Sequence, residues 1–493
     1  MVFSSPRFLV FLAALLALLA IPLPRDVKKR VLTVASCLFY AAWDYRYLSL
    51  LLVISVVDFV AAARIAATSV TRTKRAWLLA SIVSNLGILA YFKYCNFFVE
   101  NANALLGSVG VRIHALDVLL PAGISFYTFK TMSYTIDVYR GHLQPCRSWL
   151  DYAMFITFFP ELIAGPIVRA SVFLPQMDRQ PGPSLGRFAV GGGIFLQGLT
   201  KKLLIADRMA AIADPVFADP LAWSTPNVWI GLLAYTIQIY CDFSGYSDMA
   251  IGTAKMIGYD LPENFAMPYL ASSITEFWRR WHITLSTWLR DYLYIPLGGN
   301  RQGTLQTHRN LMLTMLLGGL WHGASWNFVA WGALHGIGLV AHKLWTERVS
   351  PGWRLPRPLG WAMTLGFVVL TWVPFRSPSW ENTVLLFDRL FGVSGVSGAV
   401  WNPEWFWFGL CLVVAGHAIG AAIAADPREL RFSAHVQEVL RRLGWIVEKD
   451  RISGLIAWPA FPRPAGVFVL SVWLLALFGL APTQTTAFIY FQF

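Results

Sequence analysis

Residues 48–63 read LSLLLVISVVDFVAAA, and their apolar side chains run on continuously instead of alternating. A transmembrane barrel strand alternates lipid-facing with lumen-facing positions, so this pattern excludes a barrel. In lipid the backbone must satisfy its own polar groups, and with barrels excluded only helices remain. Residues 467–480 have the same character, and similar apolar stretches recur from residue 8 to residue 481. The sequence therefore predicts an all-α polytopic integral membrane protein.

Composition agrees. Of 493 residues, 56% are hydrophobic and only 14% charged, against about 25% charged in an ordinary soluble domain. The net charge of +13 invites a nucleic-acid reading. The basic residues, however, form short clusters between apolar spans, as the positive-inside rule expects, and no nucleic-acid partner is predicted. The five cysteines are scattered without CxxC spacing, so neither a disulfide frame nor a zinc site is supported. Residues 8–24 follow Arg7 like a signal peptide, but no A-x-A site ends them and a basic stretch, 25–30, comes next. An uncleaved first helix is the better reading.

Spans are expected near 8–24, 31–43, 48–66, 76–92, 116–136, 187–206, 227–257, 359–376, 404–424 and 464–481, with 150–164 and 310–345 less regular. No internal repeat or long linker divides the chain, so 1–493 reads as one membrane-embedded domain, with 426–451 as a cytoplasmic polar segment. Arg25, Lys28, Lys29 and Arg30, then Arg72, Lys74 and Arg75, mark cytoplasmic turns. Arg428, Arg431, Arg441, Arg442, Lys449 and Arg451 mark another. Arg301 and Arg309 precede the 310–345 stretch, and Lys343 and Arg348 follow it, so both of its ends belong on the cytoplasmic side. As a helix that stretch is about 54 Å long, against a hydrocarbon core of about 30 Å. It must break and turn back. Gly318, Gly319 and Gly323 offer the break around Trp321-His322. Non-helical backbone at membrane depth is tolerated only inside protein or along a water-filled cavity, which puts His322 at the buried tip of a re-entrant pair.

Soluble-enzyme signatures such as GxxxxGK[ST], HExxH and GxSxG are missing. Two stretches carry candidate chemistry. In the first, 274–292, Ile274, Phe277, Trp278, Trp281, Leu285, Trp288, Leu289 and Tyr292 share one helical arc, with charged residues on the other. This predicts an amphipathic interfacial helix with His282 at the edge of its apolar arc. An interfacial histidine reaching for water is the plain alternative. The second stretch, 318–327, reads GGLWHGASWN. Ionisable residues inside spans are rare and are functional candidates by default; here the plain alternative is a core histidine bonded to a carbonyl. The glycines favour function, since they let a substrate or thioester arm come close. Asp242, Ser244, Tyr246 and Asp248 either line a polar cavity or pin a helix, and Lys130 either pairs with a buried acid or snorkels. His335 and His342 read as packing or interfacial residues, and no metal site is predicted.

At these residues the chain resembles the membrane-bound O-acyltransferase superfamily, in particular its bacterial polysaccharide O-acetyltransferase and D-alanyl-transferring branch. The resemblance rests on FPELIAGPIVR at 159–169, YCDFSGYSD at 240–248, the stretches 277–294 and 319–326, and the two chain ends MVFSS and FIYFQF. It implies a ring of about 11 transmembrane helices, with re-entrant or interfacial helices, around a central tunnel. It implies that His322 is the essential histidine and His282 the second family histidine. It implies further that a cytoplasmic thioester, acetyl-CoA or another, is a substrate and not a resident cofactor. An extracytoplasmic hydroxyl on an exopolysaccharide, or an exported acetyltransferase or other polysaccharide-assembly partner, would receive the acyl group at a bacterial inner membrane. A neutral imidazole near its reference pKa of about 6.5 can take a hydroxyl proton. His322 is accordingly expected to be the base, with His282 orienting a reactant or stabilising the oxyanion. The rival reading is a transporter or flippase without chemistry, which would place midplane polar residues on broken helices in repeated halves; no such halves are visible.

Overall fold

The computed structural model describes residues 1–107, 112–179, 182–349, 355–392, 397–424, 438–439, 445–450, 454–459, 464–482 and 486–489. It falls into two compact units: residues 1–192 with 249–262, and residues 193–248 with 263–493.

The first unit begins with α1 (Pro6–Ala20), whose Ser5 hydroxyl accepts the Phe8 N–H. Next come α2 (Arg25–Asp44), α3 (Arg46–Ala67), and α4 (Thr71–Leu89), which runs through a π turn at Ala90–Tyr94 into α5 (Cys95–Leu106). The Asp58 carboxylate on α3 accepts hydrogen bonds from Ser81 at 2.5 Å and Asn85 at 2.9 Å, both on α4. Asn85 Oδ1 in turn accepts from Thr131 at 2.7 Å on α6 (Ile124–Tyr139). A buried acid inside an apolar helix is costly unless its oxygens are satisfied, and this network holds three helices together while satisfying it. The span expected at 116–136 is thus corrected: helix begins only at Ile124. Pro121 disfavours helical backbone before it. Gly123 is left-handed (φ 74°), and a Cβ there would lie 2.3 Å from the Leu162 carbonyl. The irregular 150–164 stretch resolves into α7 (Trp149–Thr157) and the single turn α8 (Phe159–Leu162), followed by α9 (Ala170–Arg179). Of the two fates open to Lys130, the structure shows pairing: it binds the Glu161 carboxylate, both side chains being buried.

In the second unit lie the later part of α10 (Leu185–Thr200), a π segment Lys201–Ala206, α11 (Asp207–Ala218) and most of α12 (Thr225–Ile257). Then follow α13 (Ile274–Arg280), α14 (Ile283–Leu289), α15 (Thr304–His322), α16 (Trp326–Arg348), α17 (Arg357–Arg376), α18 (Trp380–Leu390), α19 (Glu404–Ala424) and α20 (Pro464–Leu480). One two-stranded antiparallel ladder, Trp445–Asp450 with Gly454–Pro459, interrupts the helices. Most of the polar segment expected at 426–451 lies outside the described residues. Asp242 and Asp248 on α12 pin helices together: Lys202 bonds Asp242 at 2.8 Å and Asp207 at 2.9 Å, and Lys201 bonds Asp248 at 2.6 Å.

Among the described residues, five helices are long and apolar enough to cross a membrane: Arg46–Ala67, Thr71–Leu106, Leu185–Ala218, Arg357–Arg376 and Glu404–Ala422. Pro6–Ala20 and Gly466–Leu480 are apolar but shorter. The expected spans at 31–43 and 227–257 are helical but fall outside this set. In α12 the reason is visible: Asn227, Gln238, Asp242, Ser244, Ser247 and Asp248 lower its hydropathy, and all but the half-buried Asp248 are turned into protein.

Candidate active site

The 310–345 stretch forms a helical hairpin. α15 ends on His322, Gly323 is extended (φ −164°, ψ 153°), Ser325 occupies the N-cap position, and α16 starts at Trp326. The two helices approach closely because glycines face each other. A Cβ on Gly319 would lie 2.2 Å from the Phe328 carbonyl, and one on Gly332 2.4 Å from the Met315 carbonyl. Small residues at such crossings let backbones of membrane helices meet. Beside His322, then, Gly319 and Gly323 do not hold room for a substrate arm: at Gly323 the space is filled by the Phe328 ring, 2.0 Å from where a Cβ would stand. That expectation is corrected.

His322 is 4% exposed. Its ring meets Trp331 edge-on at 5.0 Å and Phe375 at 5.2 Å, and lies nearly parallel to Phe328 at 6.5 Å. α16 and α17 supply these rings, so the imidazole ends its helix inside an aromatic box.

His282 departs from its expected setting. The stretch 274–292 is not one interfacial helix but α13, a break at Trp281-His282, α14, and a π turn at Arg290–Tyr294. Its apolar arc is buried in protein: Phe277 and Leu285 are 1% exposed, Trp281 3% and His282 0%. The break has a local cause. In a continuous helix the Arg280 carbonyl would accept the Thr284 N–H. Here segment 264–266 takes both groups: Ala266 N–H donates to the Arg280 carbonyl at 2.9 Å, and Thr284 N–H donates to Asn264 Oδ1 at 3.3 Å. Ile283 N–H also donates to the Asn264 carbonyl at 2.9 Å. Between these clamps His282 takes a left-handed conformation, φ 43° and ψ 54°. Such backbone costs about 1–3 kcal/mol in a residue other than glycine and persists only where surrounding contacts fix it.

The His282 ring meets Asn264 through Nδ1, which lies 3.1 Å from Asn264 Oδ1. It sits edge-on to Phe243 at 4.7 Å and to Trp321 at 6.0 Å. Trp321, the neighbour of His322, thereby touches both candidate histidines. His282 lies outside the membrane-spanning helices, and burial pushes its imidazole down to about 3, so the ring is neutral. Asn264 was missed in the sequence: a lone asparagine in 258–273, a stretch without long helix, carries no periodic signal.

His335 proves to be a packing residue. Trp278 Nε1–H donates to its Nδ1 at 3.3 Å, so its Nε2–H donates to Thr371 Oγ1, 3.0 Å away. Both nitrogens are used in joining α13, α16 and α17. His342, half-exposed, lies 2.9 Å from Thr275 Oγ1.

Helices long and apolar enough to span a bilayer define a multi-pass membrane protein, and the two buried histidines at helix breaks are its candidate site. A sequence model of the membrane-bound O-acyltransferase family matches residues 65–375, which include both histidines. The chain is 47% identical to a probable alginate O-acetylase AlgI of Azotobacter vinelandii, over 79% of this chain and 78% of that one. It is 39% identical to a protein of the same name from Pseudomonas fluorescens over the whole of both. To a peptidoglycan O-acetyltransferase of Helicobacter pylori it is 40% identical over 74% of each. The chain belongs to the membrane-bound O-acyltransferase family, and it is an acyltransferase.

Proposed function

We propose that this enzyme moves an acetyl group from a cytoplasmic thioester, acetyl-CoA or a carrier-protein thioester, to an extracytoplasmic hydroxyl. The acceptor is an exopolysaccharide or an exported partner that acetylates it. The enzyme works in a bacterial inner membrane, with the spanning helices ringed around a tunnel. In this reading His322 takes the hydroxyl proton as the oxygen attacks the thioester carbonyl. The new O–C bond forms, the C–S bond breaks, and the proton passes from His322 to the departing thiolate. Base assistance of this kind is worth roughly 10²–10⁴ in rate, and holding thioester and hydroxyl together supplies more.

The observation that carries the reading is His322 itself: an imidazole 4% exposed, ending a helix inside Trp331, Phe328 and Phe375, at the tip of a hairpin. Relatives named for acetylating alginate and peptidoglycan support the acetyl group and the polysaccharide acceptor. Mass spectrometry of cell-surface polysaccharide tests it. Acetyl esters should vanish when the gene is deleted and return with the wild-type chain but not with His322→Gln. Unchanged acetylation in the deletion strain would contradict the proposed acceptor.

A further inference from the structure

Asn264 is 1% exposed and sits against His282, and its amide can be oriented without ambiguity. At ordinary precision the oxygen and nitrogen of an asparagine amide are told apart only by their partners. Thr284 N–H can only donate, and it points at one amide atom, 3.3 Å away. That atom must be Oδ1. The Thr284 hydroxyl donates to the same oxygen at 2.9 Å, while Nδ2–H on the other side donates to Ser247 Oγ at 3.3 Å. Because Oδ1 can only accept, the His282 nitrogen 3.1 Å from it must carry a proton. A neutral imidazole holds one proton. With Nδ1 protonated, Nε2 is the lone-pair nitrogen.

We infer that Asn264 is a positioning residue that keeps the proton of His282 on Nδ1, so that Nε2 meets a reactant as a hydrogen-bond acceptor and not as a donor to the oxyanion. This rests on the acyl-transfer reading above and decides between the two roles open to His282. What Nε2 receives is an O–H or N–H of a reactant, either the acceptor hydroxyl or an amide of the thioester arm. The same asparagine holds the left-handed turn through its backbone carbonyl and its side chain, so ring orientation and proton position have one source. His335 shows the opposite case in the same unit: its Nδ1 accepts, from Trp278.

The direct test is nitrogen-15 NMR of histidine-labelled protein in nanodiscs, with the His282 signal assigned by its loss in His282→Asn. The wild-type resting enzyme should show a protonated Nδ1 and an unprotonated Nε2; the reverse pattern overturns the inference. No turnover is needed, so this result stands or falls separately from the acyl-transfer reading. Kinetics add a second arm. Asn264→Val, which lacks the acceptor, should raise the KM of one reactant at least tenfold, whereas Asn264→Asp, which keeps it, should restore the NMR pattern and most of that loss. A rise for the hydroxyl substrate identifies its O–H as the group received; a rise for the thioester identifies the arm's N–H. A fall in kcat with both KM values unchanged in Asn264→Val is the signature of an interaction made only in the transition state and overturns the assignment.

Discussion

His282 and His335 are both fully buried imidazoles, yet their surroundings give them different work. Both nitrogens of His335 are engaged, by Trp278 and by Thr371, which leaves it no capacity to meet a substrate. Replacing it with leucine strands the Trp278 N–H, at about 1–3 kcal/mol for a polar group left unmet, while the Thr371 hydroxyl keeps its bond to the Val368 carbonyl. His335→Leu should therefore melt at a lower temperature while turnover per folded molecule stays within about threefold of wild type. A larger loss of turnover with unchanged melting would place His335 in the chemistry. At this scale the sequence is legible where rarity is the signal. A histidine flanked by glycines in an apolar stretch singled out His322, and tryptophans at helical spacing pointed to the 274–292 region. The partners of those histidines were not legible, because Asn264 reaches His282 across 18 residues of chain.

The helical elements owe their exact limits to contacts that are remote in sequence. The 274–292 periodicity is real, and its apolar arc is buried except for the half-buried Trp278, but segment 264–266 captures the hydrogen-bonding groups that would have continued the helix. The hairpin at 304–348 was more legible, since a helix about 54 Å long cannot fit a core of about 30 Å and glycines marked the turn. What its length could not tell is that Gly319 serves the crossing of α15 and α16. Gly319→Ala would press its new methyl against the Phe328 carbonyl, 2.2 Å away. Overpacking of this kind costs about 1–3 kcal/mol, so thermal unfolding in detergent should show a clear drop; a variant as stable as wild type would mean that the hairpin opens easily. The Lys130–Glu161 pair belongs at the same scale, since it joins α6 to α8. Lys130→Met leaves a buried carboxylate without its cation, a loss of about 3–5 kcal/mol. Adding Glu161→Gln should recover part of that loss, and a double variant no better than the single one would contradict the pairing.

For the whole molecule, the continuous apolar runs were enough to read a helical multi-pass protein, and basic clusters were enough to predict its orientation. Lys74 and Arg301 are expected on the cytoplasmic side. In a cysteine-free background, Lys74→Cys and Arg301→Cys should react with an impermeant thiol reagent only in inverted vesicles. Labelling of either in intact cells would reverse the orientation and with it the side from which the thioester arrives. The number of spans was less legible, because α12 is long enough to cross a membrane but carries polar residues whose burial in protein no hydropathy value reveals. The most direct measurement of the central claim joins these scales: acyl transfer and donor affinity of monodisperse wild-type and His322→Gln protein, reconstituted with the thioester supplied on the side expected to be cytoplasmic. If His322 is the base, its replacement should lower turnover at least about 10² while donor affinity and melting temperature stay near wild type. Wild-type turnover by well-folded His322→Gln protein would contradict the account.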